Sequence, residues 1–211
     1  ILLSMQLTPP YSLISGKDFS EATTEEKFKW LEYHKWKFNT SWFTRIAGDL
    51  VLSTRTRFGL IGQYNKSIGI SPFERFFLGG DGLTGYQMDG REIIALRGYE
   101  DYSLTPFSGS SSNYIGGTIF NKYTMELRYP VSLNPMATIY LLGFVEAGNA
   151  WSSFKEFNPF DVKRSAGFGL RVYLPMFGLL GLDWGYGFDE IPGQTDANKG
   201  QFHFSIGQSI D

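Results

Sequence analysis

A strict two-residue alternation is the feature that most constrains what this chain can fold into. In residues 180–188 every second residue, from Leu180 to Phe188, is apolar, and the residues between them are glycine or aspartate. Residues 165–174 and 201–210 repeat the same period. Because successive side chains of a β-strand point to opposite faces, this period predicts strands with one apolar and one polar face.

Eight segments carry this alternation, some less cleanly, and we predict eight antiparallel strands. They cover about residues 1–9, 29–45, 49–64, 119–130, 136–151, 163–174, 179–189 and 201–210. The long connections are residues 10–28, 65–118, 152–162 and 190–200, and they alternate with short turns. Short turns on one side and long loops on the other are typical of an outer-membrane β-barrel.

A soluble sandwich or a lipocalin-like barrel is the alternative, because periodicity alone does not say which face meets water. The longest uncharged apolar run, Val172 to Leu182, is far shorter than the roughly 20 residues that a membrane-spanning helix needs. Bulky aromatic residues near the strand ends favour the membrane, where they would form an interfacial belt. These residues are Trp30, Trp42, Tyr64, Tyr129, Trp151 and Phe188.

Composition excludes several function classes. The net charge of -2 and the pI of about 5.8 argue against a nucleic-acid partner. The chain has no cysteine and two histidines, so we expect no metal site and no cofactor. A Gly-x-Ser-x-Gly motif is absent from the sequence, and we expect no enzyme activity. The chain starts at Ile1 without an apolar leader, which we interpret as a piece of a longer protein.

Residues 65–118 are too long for an ordinary connection, and such loops are usually functional or disordered. This loop is either an extracellular surface loop or one that folds back into the barrel lumen. Arg97, followed by Gly98 and Tyr99, would need a carboxylate partner in a lumen of low dielectric. Glu126 and Glu146 in the following strands are available, although Glu126 could pair with Arg128 or Arg57 instead.

Four stretches carry a family resemblance across nearly the whole chain. They are Arg55–Gly59, Phe73–Gly80, Arg97–Tyr99, and the run from Ser165 to Ile210. The chain resembles the C-terminal half of the barrel in outer-membrane protein assembly factors, within the family of barrel insertases and two-partner secretion transporters. Two departures are a longer spacing between Gly80 and Arg97, and a last strand that ends in Ile210 and Asp211 rather than in an aromatic residue.

The resemblance implies an all-β transmembrane antiparallel barrel of sixteen strands, of which this chain supplies the last eight. A lumen that holds many charged side chains and a folded loop also needs more than eight strands. Residues 1–211 would then be one partial barrel domain, with residues 65–118 folded into the lumen and without the family's periplasmic POTRA domains. The resemblance further implies a latch, defined as Arg97, Gly98 and Tyr99 of the loop with Glu126 and Glu146 of the strands.

The function implied is the folding and insertion of β-barrel proteins into the outer membrane of a Gram-negative bacterium. The last strand would meet the first strand of the barrel at a weak lateral seam, where an incoming strand pairs at the open edge, and it carries the C-terminal signal. The seam residues are Phe202, Phe204, Ile206, Gly207 and Ile210. The implied partners are outer-membrane lipids, unfolded barrel substrates and accessory assembly lipoproteins. A two-partner secretion transporter that exports a soluble passenger is the closest alternative, and a small outer-membrane porin is a more distant one.

The glycines near the seam allow two interpretations. Gly185, Gly187 and Gly207 could weaken side-chain packing and make the edge easier to open. They could equally accommodate curvature or crowding inside the lumen.

Overall fold

The structure is a computed structural model that describes residues 1–16, 18–81, 91–107 and 114–207. Ten strands and two short helices lie in these ranges. In chain order they are β1 (Leu2–Leu7), α1 (Tyr11–Ser15), α2 (Thr24–Lys27), β2 (His34–Ala47), β3 (Leu50–Gly62), β4 (Phe76–Leu78), β5 (Glu92–Ile94), β6 (Ile119–Asn134), β7 (Ala137–Trp151), β8 (Lys163–Leu174), β9 (Gly178–Gly187) and β10 (Gln201–Gly207).

Eight of these strands form one antiparallel sheet in the order β1-β2-β3-β6-β7-β8-β9-β10. The short strands β4 and β5 form a separate parallel pair within the long loop. The predicted all-β antiparallel class is therefore confirmed. The described sheet is open, with β1 and β10 as its two ends, so closure into a sixteen-stranded barrel stays a prediction.

The strand bounds differ from the predicted ones mainly at the ends. Residues 29–33 were predicted to be part of the second strand, but they precede β2, which begins at His34. The last strand is described to Gly207, and Ile210 lies outside the described residues. The connection 10–28 was predicted to be a polar loop. It contains both helices, and a reciprocal capping box between Thr23 and Glu26 starts α2.

The two faces of the sheet differ sharply in chemistry and in exposure. The apolar face is open, with side chains such as Phe168, Leu182 and Phe202 more than half exposed. The other face, here called the charged face, is largely covered by the long loop. Its buried charged residues are Lys35, Lys122, Glu126, Glu146 and Asp183. An apolar surface that is open and a charged surface that is covered is the reverse of a soluble sandwich.

The alternation weakens in β7 for a structural reason. Leu142 and Phe144 lie on the charged face together with Glu146, and all three are buried. Leu142 and Phe144 form a small apolar cluster with Tyr140, against which Leu179 packs. The charged face therefore includes an apolar patch beneath the loop.

Not all of the predicted belt aromatics are exposed. Trp42, Tyr129 and Phe188 are exposed as expected. Trp151 is instead buried, and its ring contacts that of Phe157 at a centroid distance of 5.0 Å. A residue near a strand end can turn inward when a loop side chain offers it an aromatic surface.

The long loop contributes much of the core. Phe76 and Leu78 of β4, Ile94 of β5 and Leu96 are fully buried against the sheet. The largest apolar cluster consists of Ile61, Phe76, Leu78, Ile94, Leu96, Tyr99, Leu104, Phe120, Ala150, Ile191 and Ala197. Burial of this much apolar surface holds the described parts of the loop on the charged face.

Within the described ranges, the helices are too short or too polar for any of them to cross a membrane.

Candidate functional site

The tip of the long loop is positioned by a bridge between its two arms. The Leu96 N–H donates to the Gly80 carbonyl at 3.0 Å, and the Gly80 N–H donates to the Tyr99 carbonyl at 3.1 Å. Gly80 has a φ of +74°, in the left-handed region that glycine adopts readily. Arg97 follows Leu96 directly, so this bridge presents its side chain to the charged face.

Arg97 contacts carboxylates from three different strands. Its Nη2 lies 2.6 Å from Glu126 Oε1 on β6 and 2.8 Å from Glu146 Oε1 on β7, and its Nη1 lies 3.4 Å from Asp183 Oδ2 on β9. The Arg97 backbone N–H also donates to Glu146 Oε2 at 2.9 Å. One guanidinium thus joins the loop to three strands, which its fan of N–H donors permits.

Three further cations lie beside the same carboxylates. Lys122 Nζ is 2.9 Å from Glu146 Oε1, and Arg128 Nη2 is 2.7 Å from Glu126 Oε2. Arg171 Nη2 is 2.7 Å from Asp183 Oδ2. The cluster therefore holds four cations and three carboxylates, and each carboxylate contacts Arg97 and one cation from the strands. Here this group is called the lumen cluster.

The environment favours the charged form of Arg97. Burial alone would lower its pKa, but Glu146, Glu126 and Asp183 outweigh burial and hold the pKa of Arg97 above its usual range. The guanidinium carbon also lies 3.6 Å from the centre of the Phe144 ring, in a cation–π arrangement. The apolar patch on β7 thus supports the cation that the carboxylates bind.

Gly98 lies in a space that exists because the residues facing it on β9 are glycines. A Cβ on Gly185 would lie 2.7 Å from the Gly98 nitrogen, and one on Gly187 would lie 2.6 Å from the Gly98 oxygen. Gly98 has a φ of +86°, and its own Cβ would meet the Tyr186 backbone at 2.8 Å. Of the two interpretations of the seam glycines, crowding by the loop therefore accounts for Gly185 and Gly187.

The loop tip also contacts the last strand. The Gly98 N–H donates to His203 Nε2 on β10 at 2.8 Å, and His203 is buried. Because the accepting nitrogen must carry no proton, this bond fixes the imidazole with an unprotonated Nε2.

Tyr99 joins the loop tip to the start of β8 and to the residues that follow β9. Its hydroxyl donates to the Arg164 carbonyl at 2.8 Å and accepts from the Asp189 N–H at 3.3 Å. Burial raises the pKa of Tyr99 to about 12, so the phenol remains a donor at neutral pH. Asp189 also receives the Arg164 guanidinium at 2.7 Å, which lowers the pKa of that carboxyl.

A second ionic contact joins the loop to β2. Lys35 Nζ lies 2.8 Å from Glu92 and 3.1 Å from Glu74, and Lys37 Nζ lies 3.3 Å from Glu92. Lys35 also lies over the Phe76 ring at 4.9 Å. Burial would raise the pKa of Glu92, but the two lysines outweigh it and lower that pKa.

The structure brings Arg97, Glu126 and Glu146 together, within the distance of a direct ion pair. Glu126 contacts both Arg97 and Arg128, so two of the three pairings considered for that carboxylate occur at once. Sequence reasoning missed Asp183 and His203 as contacts of the loop. Their positions on the polar side of β9 and β10 were the available signal, but alternation does not say which inward residues a distant loop will reach.

Four of the five predicted seam residues lie on β10, and the fifth, Ile210, lies outside the described residues. Phe202, Phe204 and Ile206 are exposed on the apolar face, and Gly207 is the last residue of the strand. Their alternation with His203 and Ser205 continues the chemistry of the sheet to its end strand. No group of three or more potential metal ligands occurs within the described ranges.

The fold and this site together define a class of protein. An antiparallel sheet with an open apolar face, and a charged face closed by an inserted loop, has the arrangement of an outer-membrane β-protein. The chain belongs to the Omp85 superfamily, whose domain matches residues 19–210. This family comprises outer-membrane proteins of insertion or secretion, which are assembly or transport proteins rather than enzymes.

Two individual proteins illustrate the relationship. The chain is 27% identical over 147 residues to the outer membrane protein assembly factor BamA of Neisseria meningitidis serogroup B, a match that covers 67% of this chain and 16% of that protein. It is also similar in fold to the crystal structure of BamA from Haemophilus ducreyi lacking POTRA domains 1-3. That match has a TM-score of 0.59 at 17% identity and covers 82% of this chain and 34% of that one. The chain thus spans about a sixth and a third of the length of these two proteins.

Proposed function

We propose that this chain is the C-terminal half of a sixteen-stranded barrel that folds and inserts other β-barrel proteins into a bacterial outer membrane. Family membership and the similarity to an assembly factor support this proposal. The observation that carries it is the attachment of the loop tip to both the lumen cluster and the last strand, through Arg97 and the Gly98–His203 bond.

In this proposal the working element is the edge of β10. β9 occupies one edge of this strand, and the second edge would accept the backbone of an incoming strand. Phe202, Phe204 and Ile206 face the apolar side, so an incoming strand with the same alternation would place its own apolar residues against lipid. Pairing would then extend the sheet without burying a charge in the membrane.

The lumen cluster would keep the wall beside that edge in one shape. Arg97 connects β6, β7 and β9, and Gly98 connects β10. Without the loop, three carboxylates and three cations on the wall would remain, without the guanidinium that joins β6 and β7 to β9. The latch is therefore proposed as a positioning element for the seam and not as a catalytic site.

The proposed function implies particular partners and a location. The apolar face would contact the lipids of a Gram-negative outer membrane, and the substrates would be unfolded barrel proteins. Accessory assembly lipoproteins are expected partners of the complete protein. Export of a soluble passenger, as in two-partner secretion, is the alternative within the same family.

Reconstitution of the complete protein tests the proposal. Phospholipid vesicles with and without the protein receive a urea-unfolded eight-stranded barrel substrate, and its protease-resistant, membrane-inserted fraction is followed over time. We expect insertion to be several-fold faster with the protein, and Arg97→Ala to lose most of that gain. The matched control is Arg164→Ala, which removes an arginine whose exposed side chain lies outside the lumen cluster.

Two results would contradict the proposal. The first is insertion of the substrate into vesicles that contain the protein at the same rate as into vesicles that lack it. Translocation of an unfolded soluble passenger into the vesicles, without barrel insertion, would assign the chain to secretion instead.

A further inference from the structure

A carboxylate of the long loop lies at the outer edge of the last strand. The Phe204 backbone N–H donates to Asp81 Oδ2 at 3.3 Å. Phe204 pairs in register with Leu182 of β9, on the other side of β10. Because the N–H groups of a strand alternate between its two edges, an N–H that donates to a loop carboxylate belongs to the edge that faces away from β9.

The position of Asp81 depends on the same bridge that positions Arg97. Asp81 directly follows Gly80, and Arg97 directly follows Leu96, while Gly80 and Leu96 bond to each other across the bridge. A Cβ on Gly80 would meet Asp101 far inside contact distance, so the backbone at this point has little freedom to shift. Movement of the loop tip would therefore move Asp81 and Arg97 together.

The loop holds β10 at two successive residues. On the charged face, His203 accepts a hydrogen bond from the Gly98 N–H, and at the outer edge, the Phe204 N–H donates to Asp81. One contact uses a side chain and the other uses the backbone, and they come from the two arms of the bridge. The last strand is thus held from its inner face and from its outer edge by one loop.

We propose that Asp81 caps the outer edge of the last strand at Phe204, so that any strand that pairs there, the first strand of the complete barrel or an incoming one, must displace it. A carboxylate oxygen on the Phe204 N–H takes the place that a backbone carbonyl of a paired strand would occupy. Asp81 is therefore a positioning residue that keeps the edge closed while the loop is seated. This inference rests on the proposed function, since it assumes that β10 receives a strand.

The physical consequence is a coupling between the lumen cluster and the seam. While Arg97 is bound by its carboxylates, the bridge holds Asp81 at the edge. Pairing of a strand at Phe204 would release Asp81, and the loop tip would lose one of its contacts to β10. By the alternation of the strand, the N–H groups of Phe202 and Ile206 lie along the same edge and would bond to the incoming strand as well.

Capture of a synthetic strand tests the cap in the complete protein. The probe is a ten-residue peptide of alternating apolar and polar residues that carries one benzophenone photocrosslinker. The initial rate of its crosslinking to residues 201–207 is measured by mass spectrometry in the wild type, Asp81→Ala and Asp81→Asn. Asp161→Ala is the matched control, because Asp161 is an exposed acid on another loop whose backbone carbonyl, and not its side chain, accepts from Asn149.

We expect Asp81→Ala to capture the peptide about 3- to 10-fold faster, as expected for the loss of one long, solvent-exposed hydrogen bond. Asp81→Asn keeps an acceptor oxygen and should fall between Asp81→Ala and the wild type. The Phe204 amide should exchange its hydrogen faster in Asp81→Ala, with no change in Asp161→Ala. This second measurement reports the cap even if a variant inserts poorly into vesicles.

The two proposals fail in different ways. Equal capture and equal Phe204 exchange in the wild type and Asp81→Ala would overturn the cap and leave strand pairing at β10 intact. Absence of peptide crosslinks to residues 201–207 in every variant would overturn pairing at the last strand, and the cap with it.

Discussion

Truncation of Arg97 to alanine is the most informative perturbation of the loop. The substitution removes the contacts of the guanidinium with Glu126, Glu146 and Asp183, together with its packing on Phe144. Breaking a buried ion pair typically costs about 3–5 kcal/mol, because the remaining charge is left without a partner. Here each carboxylate keeps one cation from the strands, so we expect the low end, about 3 kcal/mol.

This cost falls on the attachment of the loop and not on the sheet. The sheet keeps the backbone hydrogen bonds of the four strand pairs around the lumen cluster, which are β3-β6, β6-β7, β7-β8 and β8-β9. The expected outcome is therefore local opening of residues 94–104. An opening that is 3 kcal/mol easier raises amide exchange by about 100-fold.

Hydrogen exchange with mass spectrometry on the protein in vesicles or detergent measures this directly. Arg97→Lys keeps one positive charge but cannot reach three carboxylates at once, so its exchange should lie between the wild type and Arg97→Ala. Arg164→Ala removes an exposed pair and should change stability by less than about 1 kcal/mol. A change of less than about threefold in Arg97→Ala would refute the reasoning, because the three ion pairs would then contribute nothing to loop attachment.

Three further predictions test other contacts of the loop. Gly185→Ala places a methyl group 2.7 Å from the loop-tip backbone and should destabilise the tip by about 1–3 kcal/mol. The control Gly143→Ala places its methyl group 3.9 Å from the nearest atom and should be neutral, and thermal unfolding of the two variants measures the difference. Tyr99→Phe should cost about 1 kcal/mol at neutral pH. Burial raises the pKa of this phenol from 10.0 to about 12. The stability that the hydroxyl contributes is therefore complete below pH 10 and is lost as the pH rises towards 12. Unfolding titrations of Tyr99→Phe should not show this loss. Lys35→Met should loosen the loop base, measured as faster exchange of residues 92–94, by more than the same substitution at the more exposed Lys37.

Much of the sheet was predictable because its signal is local. The period of two is visible within ten residues, and it located all eight strands of the sheet. It failed where local pattern and packing conflict. Trp151 was expected in an exposed belt but is buried against Phe157, and residues 29–33 were expected in a strand that begins only at His34.

The candidate site was predictable only in part. A buried guanidinium needs carboxylates, and this requirement pointed from Arg97 to Glu126 and Glu146. The same requirement did not point to Asp183, because its role depends on how the loop tip lies across β8 and β9. The glycines beside the seam illustrate the same limit, since Gly185 and Gly187 make room for Gly98, and this contact spans almost ninety residues of sequence.

By itself, the sequence determined the β-strands, their two chemically distinct faces and the acids that a loop arginine would need. Those properties follow from the geometry of a single strand and from the cost of an unpaired buried charge. Only the tertiary structure decided which face is covered, which three carboxylates share Arg97, and that the loop holds the last strand at His203 and Phe204. These are contacts between distant segments, and they depend on the path of the loop across the sheet rather than on any local pattern.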